Sequence, residues 1–142
     1  MAFVVACAMW LAAVAVSARQ NGVITLDAGA YTVEQATRGK AHYQAFCAPC
    51  HVGDLSGTLA ADTGAPPLRG APFVASLQRK GVAGVFGYIK TTMPADDPAS
   101  LEDGWYLDIL AYVFQGNGFP AGPRELSAAE LPHVRVGRPA PP

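Results

Sequence analysis

Apolar residues recur at helical spacing in four stretches of this 142-residue chain. The pattern predicts helices over Val33–Phe46, Pro72–Lys80, Val82–Thr91 and Leu101–Gln115. No stretch alternates apolar and polar residues as a half-buried strand does. The predicted fold class is therefore all-α, with long loops between the helices.

Local signals predict where these helices begin and end. Thr32 and Gln35 have the spacing of a capping box, which predicts the first helix to start directly after Thr32. Gly81 separates the second helix from the third, and Pro94 prevents the third from continuing. Ser100 is the predicted N-cap of the last helix, and the run Gly116-Asn117-Gly118 is its predicted end.

Gly39 is an unexpected residue in the first predicted helix. It shares one helical face with Tyr43 and Cys47, because these positions follow each other at intervals of four. Glycine costs about 1 kcal/mol relative to alanine inside a helix. Its presence therefore predicts close approach by another element.

The N-terminal segment has the character of an export signal. Residues 1–18 carry no charge, residues 3–16 are apolar, and Val16-Ser17-Ala18 is a small-residue cleavage site. We interpret residues 1–18, with Cys7, as a signal peptide. A Lys or Arg before the apolar stretch is missing, so an uncleaved membrane anchor is the alternative.

The remaining chain divides into three predicted parts. Residues 19–30 are a loose lead-in, residues 31–118 form one helical domain, and residues 119–142 form a proline-rich, extended tail. The chain as a whole contains 15 Gly and 12 Pro, which limits long regular elements. A large prosthetic group would allow irregular loops to pack around it.

Charge excludes one class of partner. The net charge is −1, charged residues make up 15% of the chain, and Lys and Arg are scattered. Nucleic-acid binding needs a basic patch or stripe. We therefore expect no nucleic-acid partner.

The run Cys47-Ala48-Pro49-Cys50-His51 carries the strongest chemical signal. Cys-x-x-Cys-His is the spacing of covalent c-type haem attachment: two thiols on one helical turn bind the haem, and the histidine that follows ligates the iron. A zinc module is a weaker interpretation because structural zinc needs four ligands. A dithiol oxidoreductase is also weaker, because a helix precedes the motif where that class has a strand. In an exported protein a Cys47–Cys50 disulfide remains open as well.

Met93 is the candidate for a second iron ligand. It is the only methionine beyond the predicted signal peptide, it follows His51 by 42 residues, and it precedes Pro94. Methionine opposite histidine raises the reduction potential and closes the iron to substrates. Alternatively, Met93 is an apolar core residue, and the open iron would then suit a haem enzyme or a gas or redox sensor.

Together these motifs resemble those of class I c-type cytochromes with one haem. The matching pieces are Gly39…Tyr43…Cys47-x-x-Cys50-His51, Ala65-Pro66-Pro67-Leu68-x-Gly70, Thr91-Thr92-Met93-Pro94 and Leu110-Ala111-Tyr112-Val113. Two further runs, Tyr88–Pro94 and Asn117–Pro120, are similar to cytochrome domains that accompany quinoprotein dehydrogenases.

The resemblance implies a fold and a binding site. Three to five short helices would surround one haem c bound through Cys47 and Cys50, with His51 and Met93 as iron ligands. The Pro66 carbonyl would accept a hydrogen bond from His51. The residues lining the haem would be Leu68, Phe73, Phe86 and Leu110.

Two further implications concern helix packing and the haem propionates. Gly39 and Tyr43 would lie where the first helix crosses the last, against Tyr112. Related sequences often have tryptophan near Leu77, where it binds a propionate. Leucine cannot do so, and the alternative partners are Arg69, Arg79 and Lys80.

The implied function is one-electron transfer in the periplasm, as a free carrier or as the cytochrome subunit of a dehydrogenase or respiratory chain. We expect no catalytic residues. The expected partners are a dehydrogenase as donor and an oxidase or cytochrome as acceptor, with membrane contact only if the N-terminal segment is uncleaved. Four acidic residues just after Met93 could steer a basic partner: Asp96, Asp97, Glu102 and Asp103.

Overall fold

The computed structural model describes residues 23–58 and 64–137. In this part of the chain, helix α1 spans Val33–Phe46, α2 spans Ala48–His51, α3 spans Ala71–Thr92 and α4 spans Asp103–Gly116. The all-α fold with three to five helices is therefore confirmed. The predicted signal peptide and Cys7 lie outside the described residues. In the part that is described, no helix combines the length and apolar character needed to span a membrane.

Helix α1 begins where its capping signal predicts. The Thr32 hydroxyl oxygen accepts a hydrogen bond of 3.1 Å from the Gln35 backbone N–H. The Gln35 side chain does not complete the capping box. It pairs instead with the backbone of Leu126, with hydrogen bonds of 2.9 and 2.7 Å. Thr32 thus caps α1, and Gln35 in its first turn connects the helix to the C-terminal segment.

Helix α3 consists of two helical pieces joined at Gly81. This glycine has φ 70° and ψ 167°, outside the helical region, so the helix axis breaks there. A positive φ is favourable for glycine because it has no Cβ. The prediction of two helices separated by Gly81 is therefore correct.

The predicted start of α4 is wrong by two residues. Glu102, not Ser100, is the N-cap, and its carbonyl accepts hydrogen bonds from Trp105 and Tyr106. The chain turns at Ala99, which has φ 63°. Leu101 then packs half-buried against an apolar cluster instead of entering the helix. Burial of Leu101 therefore outweighs the capping preference of Ser100.

Helices α1 and α4 cross at Gly39. The glycine itself predicted close approach by another element, and the resemblance implied that this element is the last helix. A Cβ on Gly39 would overlap the backbone carbonyl of Asp108. Beside this contact, the Arg38 guanidinium binds both carboxylate oxygens of Asp108, at 2.9 and 3.1 Å. The hydrogen bonds to Asp108 and then to Glu125 raise the pKa of Arg38 above its ordinary value. The ring of Tyr43 lies 5.2 Å from that of Tyr112, centroid to centroid.

We expect Gly39→Ala to destabilise the protein by about 3 kcal/mol, because the added methyl group must push the two backbones apart. Gly87→Ala is the matched control. Gly87 also lies inside a helix, but no neighbouring atom stands within 4 Å of the position that its Cβ would take. It should be neutral or stabilising by up to about 1 kcal/mol. Denaturant unfolding of both holoproteins measures this, and equal effects of the two substitutions would contradict the close crossing.

In residues 23–58 and 64–137, the buried apolar side chains form two clusters. The larger one joins α3 and α4 to the N- and C-terminal segments, and it includes Leu77, Val82, Leu110 and Phe114. The smaller one lies around α1 and α4 and contains Tyr43, Leu55, Ile109 and Val113. Phe73 is half-buried and packs against both clusters. This phenylalanine therefore marks where the two clusters meet.

The lead-in and the tail are more ordered than the sequence predicts. Strand β1, Ile24–Thr25, pairs in parallel with β2, Val134–Arg135. Tyr31 donates a hydrogen bond from its hydroxyl group to the Phe119 carbonyl. Four apolar side chains of the tail are buried: Phe119, Leu126, Leu131 and Val134. Their irregular spacing matches neither helix nor strand, which is why the pattern did not reveal that this segment contributes to the core.

Candidate functional site

The Cys47–His51 segment forms one helical turn. The Cys47 carbonyl accepts hydrogen bonds from the backbone N–H of Cys50, at 3.2 Å, and of His51, at 2.8 Å. Pro49 suits the first turn of α2, where its missing N–H is not needed. Val52, with φ 63°, ends the turn. Both thiols and the imidazole therefore belong to one short, hydrogen-bonded unit.

The His51 side chain is buried, with 7% of the residue exposed. Its Nδ1 lies 2.9 Å from the carbonyl oxygen of Pro66. This contact is the one that the resemblance implied. Because a carbonyl only accepts, Nδ1 is the donor in this contact, which leaves Nε2 as the ring nitrogen that can bind a metal.

Tyr43 supports the end of the same turn. Its hydroxyl group donates to the carbonyl of Val52 at 2.8 Å and lies 3.2 Å from the carbonyl of His51. Burial raises the pKa of Tyr43 above its ordinary value, so the phenol remains a neutral donor. Sequence reasoning placed Tyr43 at the helix crossing but did not reveal this second contact. The one sequence feature that pointed to this contact is that Tyr43 and Cys47 lie on the same face of α1.

Asn117 holds the loop that contains Pro66 and Leu68. Its side-chain amide nitrogen donates to the carbonyl oxygens of Leu68, at 2.9 Å, and Val113, at 2.8 Å. Its side-chain oxygen accepts from the Gly70 N–H at 2.9 Å. The sequence showed Asn117 only as part of a helix stop. The loop it contacts lies 47 and 49 residues away, so local patterns carry no sign of the interaction.

The two thiols are not joined to each other. Cys47 is half-buried and Cys50 is exposed. Burial, and next the neighbouring Cys50, raise the pKa of Cys47 to about 11. A dithiol oxidoreductase needs the opposite shift, because its attacking group is a thiolate. The electrostatics of Cys47 therefore disfavour that interpretation.

Met93 lies directly after α3, where Pro94 was predicted to stop the helix. Its backbone N–H donates to the Ile89 carbonyl at 2.9 Å. Its carbonyl accepts a hydrogen bond of 2.6 Å from the hydroxyl group of Tyr106. The residue is half-buried. Both backbone polar groups of Met93 are thus fixed, which leaves its side chain as the adjustable part.

The apolar residues expected at the haem occupy two environments. Leu68 and Phe86 are half-buried at the edges of the smaller and the larger cluster respectively, and Phe73 contacts both. Leu110 is 2% exposed and lies within the larger cluster. Half-buried apolar side chains at the edges of the two clusters suit a large apolar ring. The donor set of two thiols, an imidazole and a thioether suits haem iron and its vinyl groups. The residues present therefore fit a haem.

The sequence profile described as cytochrome c oxidase, cbb3-type, subunit III matches residues 34–113. This chain belongs to that cytochrome family. It is a class I c-type cytochrome, with covalently bound haem c and a function in haem-based electron transfer. The matched segment contains the Cys47–His51 turn, the Pro66 loop, Met93 and most of α4.

The cytochrome is also similar to a curated protein named thiosulfate dehydrogenase from Allochromatium vinosum. The two are 43% identical over 82 residues, which is 53% of this chain and 29% of that protein. The cytochrome thus spans under a third of its relative's length. The similarity therefore supports the cytochrome c domain and carries no statement about the activity of the whole relative.

Other candidate residues of the cytochrome have partners of their own. Arg69 binds Asp54, at 3.1 Å to its carbonyl and 3.4 Å to its carboxylate. Lys80 lies 5.1 Å above the ring of Tyr88. Leu77 is fully buried. These contacts keep Arg69 and Lys80 at the surface, and propionate binding by either of them, or by Arg79, stays a prediction.

The acidic residues after Met93 are exposed. One of them, Asp103, forms an ion pair of 2.7 Å with Lys90. In residues 23–58 and 64–137, no three His, Cys, Asp or Glu side chains gather as a metal-binding group. The zinc interpretation of the Cys47–His51 motif therefore has no ligand set in the described part of the cytochrome.

Proposed function

We propose that the cytochrome is an exported one-electron carrier or the cytochrome subunit of a dehydrogenase or respiratory chain. One observation carries this proposal. The turn that holds both thiols also holds a buried His51 whose Nδ1 is bonded to the Pro66 carbonyl. That bond orients the imidazole and increases its basicity toward a metal.

In the proposed site, Cys47 and Cys50 would hold the haem through thioether bonds, and His51 would bind its iron through Nε2. When bound, haem supplies an Fe(III)/Fe(II) couple that accepts and releases one electron. The hydrogen bonds from Tyr43 and Asn117 hold the His51 turn and the Pro66 loop in place, and would limit their movement during electron transfer. A rigid site lowers the reorganisation that accompanies each transfer.

Met93 would be the second iron ligand. Its backbone is fixed at both polar groups. Thioether ligation raises the reduction potential and leaves no coordination position for a substrate. Leu68, Phe73 and Phe86 are the proposed apolar lining, which excludes water and raises the potential further.

Location and partners complete the proposal. The predicted signal peptide supports export to the periplasm. We propose that haem attachment and electron exchange with the partners take place there. The proposed partners are a dehydrogenase that donates the electron and an oxidase or another cytochrome that accepts it. The exposed acidic residues after Met93 favour a basic docking surface on one of them.

The second candidate function is catalysis at an open iron. The similarity to a protein named as a dehydrogenase, over 29% of that protein's length, favours an enzymatic function. Mixing the purified holoprotein with thiosulfate and a soluble electron acceptor separates the two functions. We expect a single one-electron couple in a redox titration, no carbon monoxide binding by the ferrous form, and no turnover of thiosulfate. Turnover together with carbon monoxide binding would replace the carrier function with the enzymatic one.

A further inference from the structure

The first turns of α4 contact the residue that we propose as the second iron ligand. Tyr106 is 2% exposed, so the core fixes its ring. Its hydroxyl group donates to the Met93 carbonyl at 2.6 Å. A buried phenol needs a hydrogen-bond partner, and here the partner belongs to the segment between α3 and α4.

The position of Met93 makes this contact important. Before it, the last turn of α3 holds the Met93 N–H through the Ile89 carbonyl, at 2.9 Å. After it, residues 95–100 are exposed. The bond from Tyr106 therefore connects Met93 to a long buried helix at the point where the chain leaves the core.

We propose that Tyr106 is a positioning residue for the thioether of Met93. By holding the Met93 carbonyl, it keeps the side chain within reach of the iron and disfavours replacement by other ligands. Met93 then loses less conformational freedom when its thioether binds the iron, so the free energy of that binding is more favourable. This inference rests on the proposed ligation by Met93.

Tyr112 provides a matched control on the same helix. Its hydroxyl group donates to a backbone carbonyl too, that of Gly53 at 3.2 Å. Gly53 lies two residues after His51, whereas Met93 lies directly after α3. Tyr106→Phe and Tyr112→Phe therefore remove the same chemical group from the same helix and differ in the segment they release.

The test is imidazole binding to the ferric holoprotein, followed in the visible spectrum, for wild type, both Phe variants and Met93→Ala. Imidazole must displace the thioether, so its apparent affinity reports how often the iron is open. Loss of one hydrogen bond should raise the affinity about 2- to 10-fold in Tyr106→Phe. Tyr112→Phe should equal wild type, and Met93→Ala should bind imidazole most tightly.

The four affinities distinguish the positioning role of Tyr106 from ligation by Met93. Equal affinity in wild type and Tyr106→Phe, with tighter binding in Met93→Ala, would overturn the role of Tyr106 alone. Equal increases in both Phe variants would also overturn it, because general loosening would then explain them. An unchanged affinity in Met93→Ala would overturn the ligation itself.

A measurement on the wild type covers the case in which Tyr106→Phe does not fold. The ferrous protein with two axial ligands is diamagnetic and suits proton NMR. The Tyr106 hydroxyl proton should exchange slowly with water, since it is buried and bonded to the Met93 carbonyl. Exchange too fast to give a hydroxyl signal would contradict the proposal.

Discussion

Met93→Ala lowers the reduction potential of the cytochrome by on the order of 0.1 V or more, a part of the roughly 0.8 V that axial ligands control. Removing the thioether takes away the ligand that favours Fe(II) over Fe(III). It also leaves a coordination position open, so the ferrous variant binds carbon monoxide and the wild type does not. Potentiometric titration and the spectrum under carbon monoxide measure the two effects.

Two control variants show which property of Met93 matters. Ile89→Ala removes a half-buried apolar side chain near the same end of α3 and should leave the carbon monoxide result unchanged. Met93→His restores a sixth ligand, so carbon monoxide should again be excluded while the potential stays low. Equal potentials in Met93→Ala and wild type would remove Met93 from the site and favour the open-iron function.

Loss of both thiols should unfold the protein. Cys47→Ser combined with Cys50→Ser removes the covalent attachment, and the half-buried residues Leu68, Phe73 and Phe86 then lose the group they are proposed to cover. Metal and cofactor binding contribute directly to folding free energy. The expected loss is more than about 5 kcal/mol, comparable with the whole stability of a domain. The helical circular dichroism signal should melt without a cooperative transition.

The single substitutions provide the control for this experiment. Cys47→Ser and Cys50→Ser each leave one thioether bond, so both should keep haem on a denaturing, reducing gel and retain a cooperative transition at lower temperature. A stable, compact double variant would contradict the idea that the haem forms much of the core.

Local sequence signals predicted the helices well because each signal acts within one turn. Thr32 caps α1 through its own hydroxyl group, and Gly81 breaks α3 through its φ angle. The Cys47–His51 turn was predictable for the same reason. Its chemistry requires a fixed spacing, and the spacing is visible in the sequence.

Interactions between distant segments were not predictable in this way. The bond from Tyr106 to Met93 spans 13 residues, that from Asn117 to Leu68 spans 49, and that from Gln35 to Leu126 spans 91. Each depends on how complete elements pack. The predicted start of α4 is wrong because a capping preference carries no information about the burial of Leu101. The packing of the tail has no sequence signal because its buried apolar residues have no regular period.

Peptide mass mapping of the matured protein shows whether haem is bound through Cys47 and Cys50. The protein is denatured, reduced, treated with a thiol-alkylating reagent and digested. The account predicts one peptide containing residues 47–51 that carries the mass of a single haem and no alkyl group. Two alkylated cysteines in a peptide without haem would contradict it.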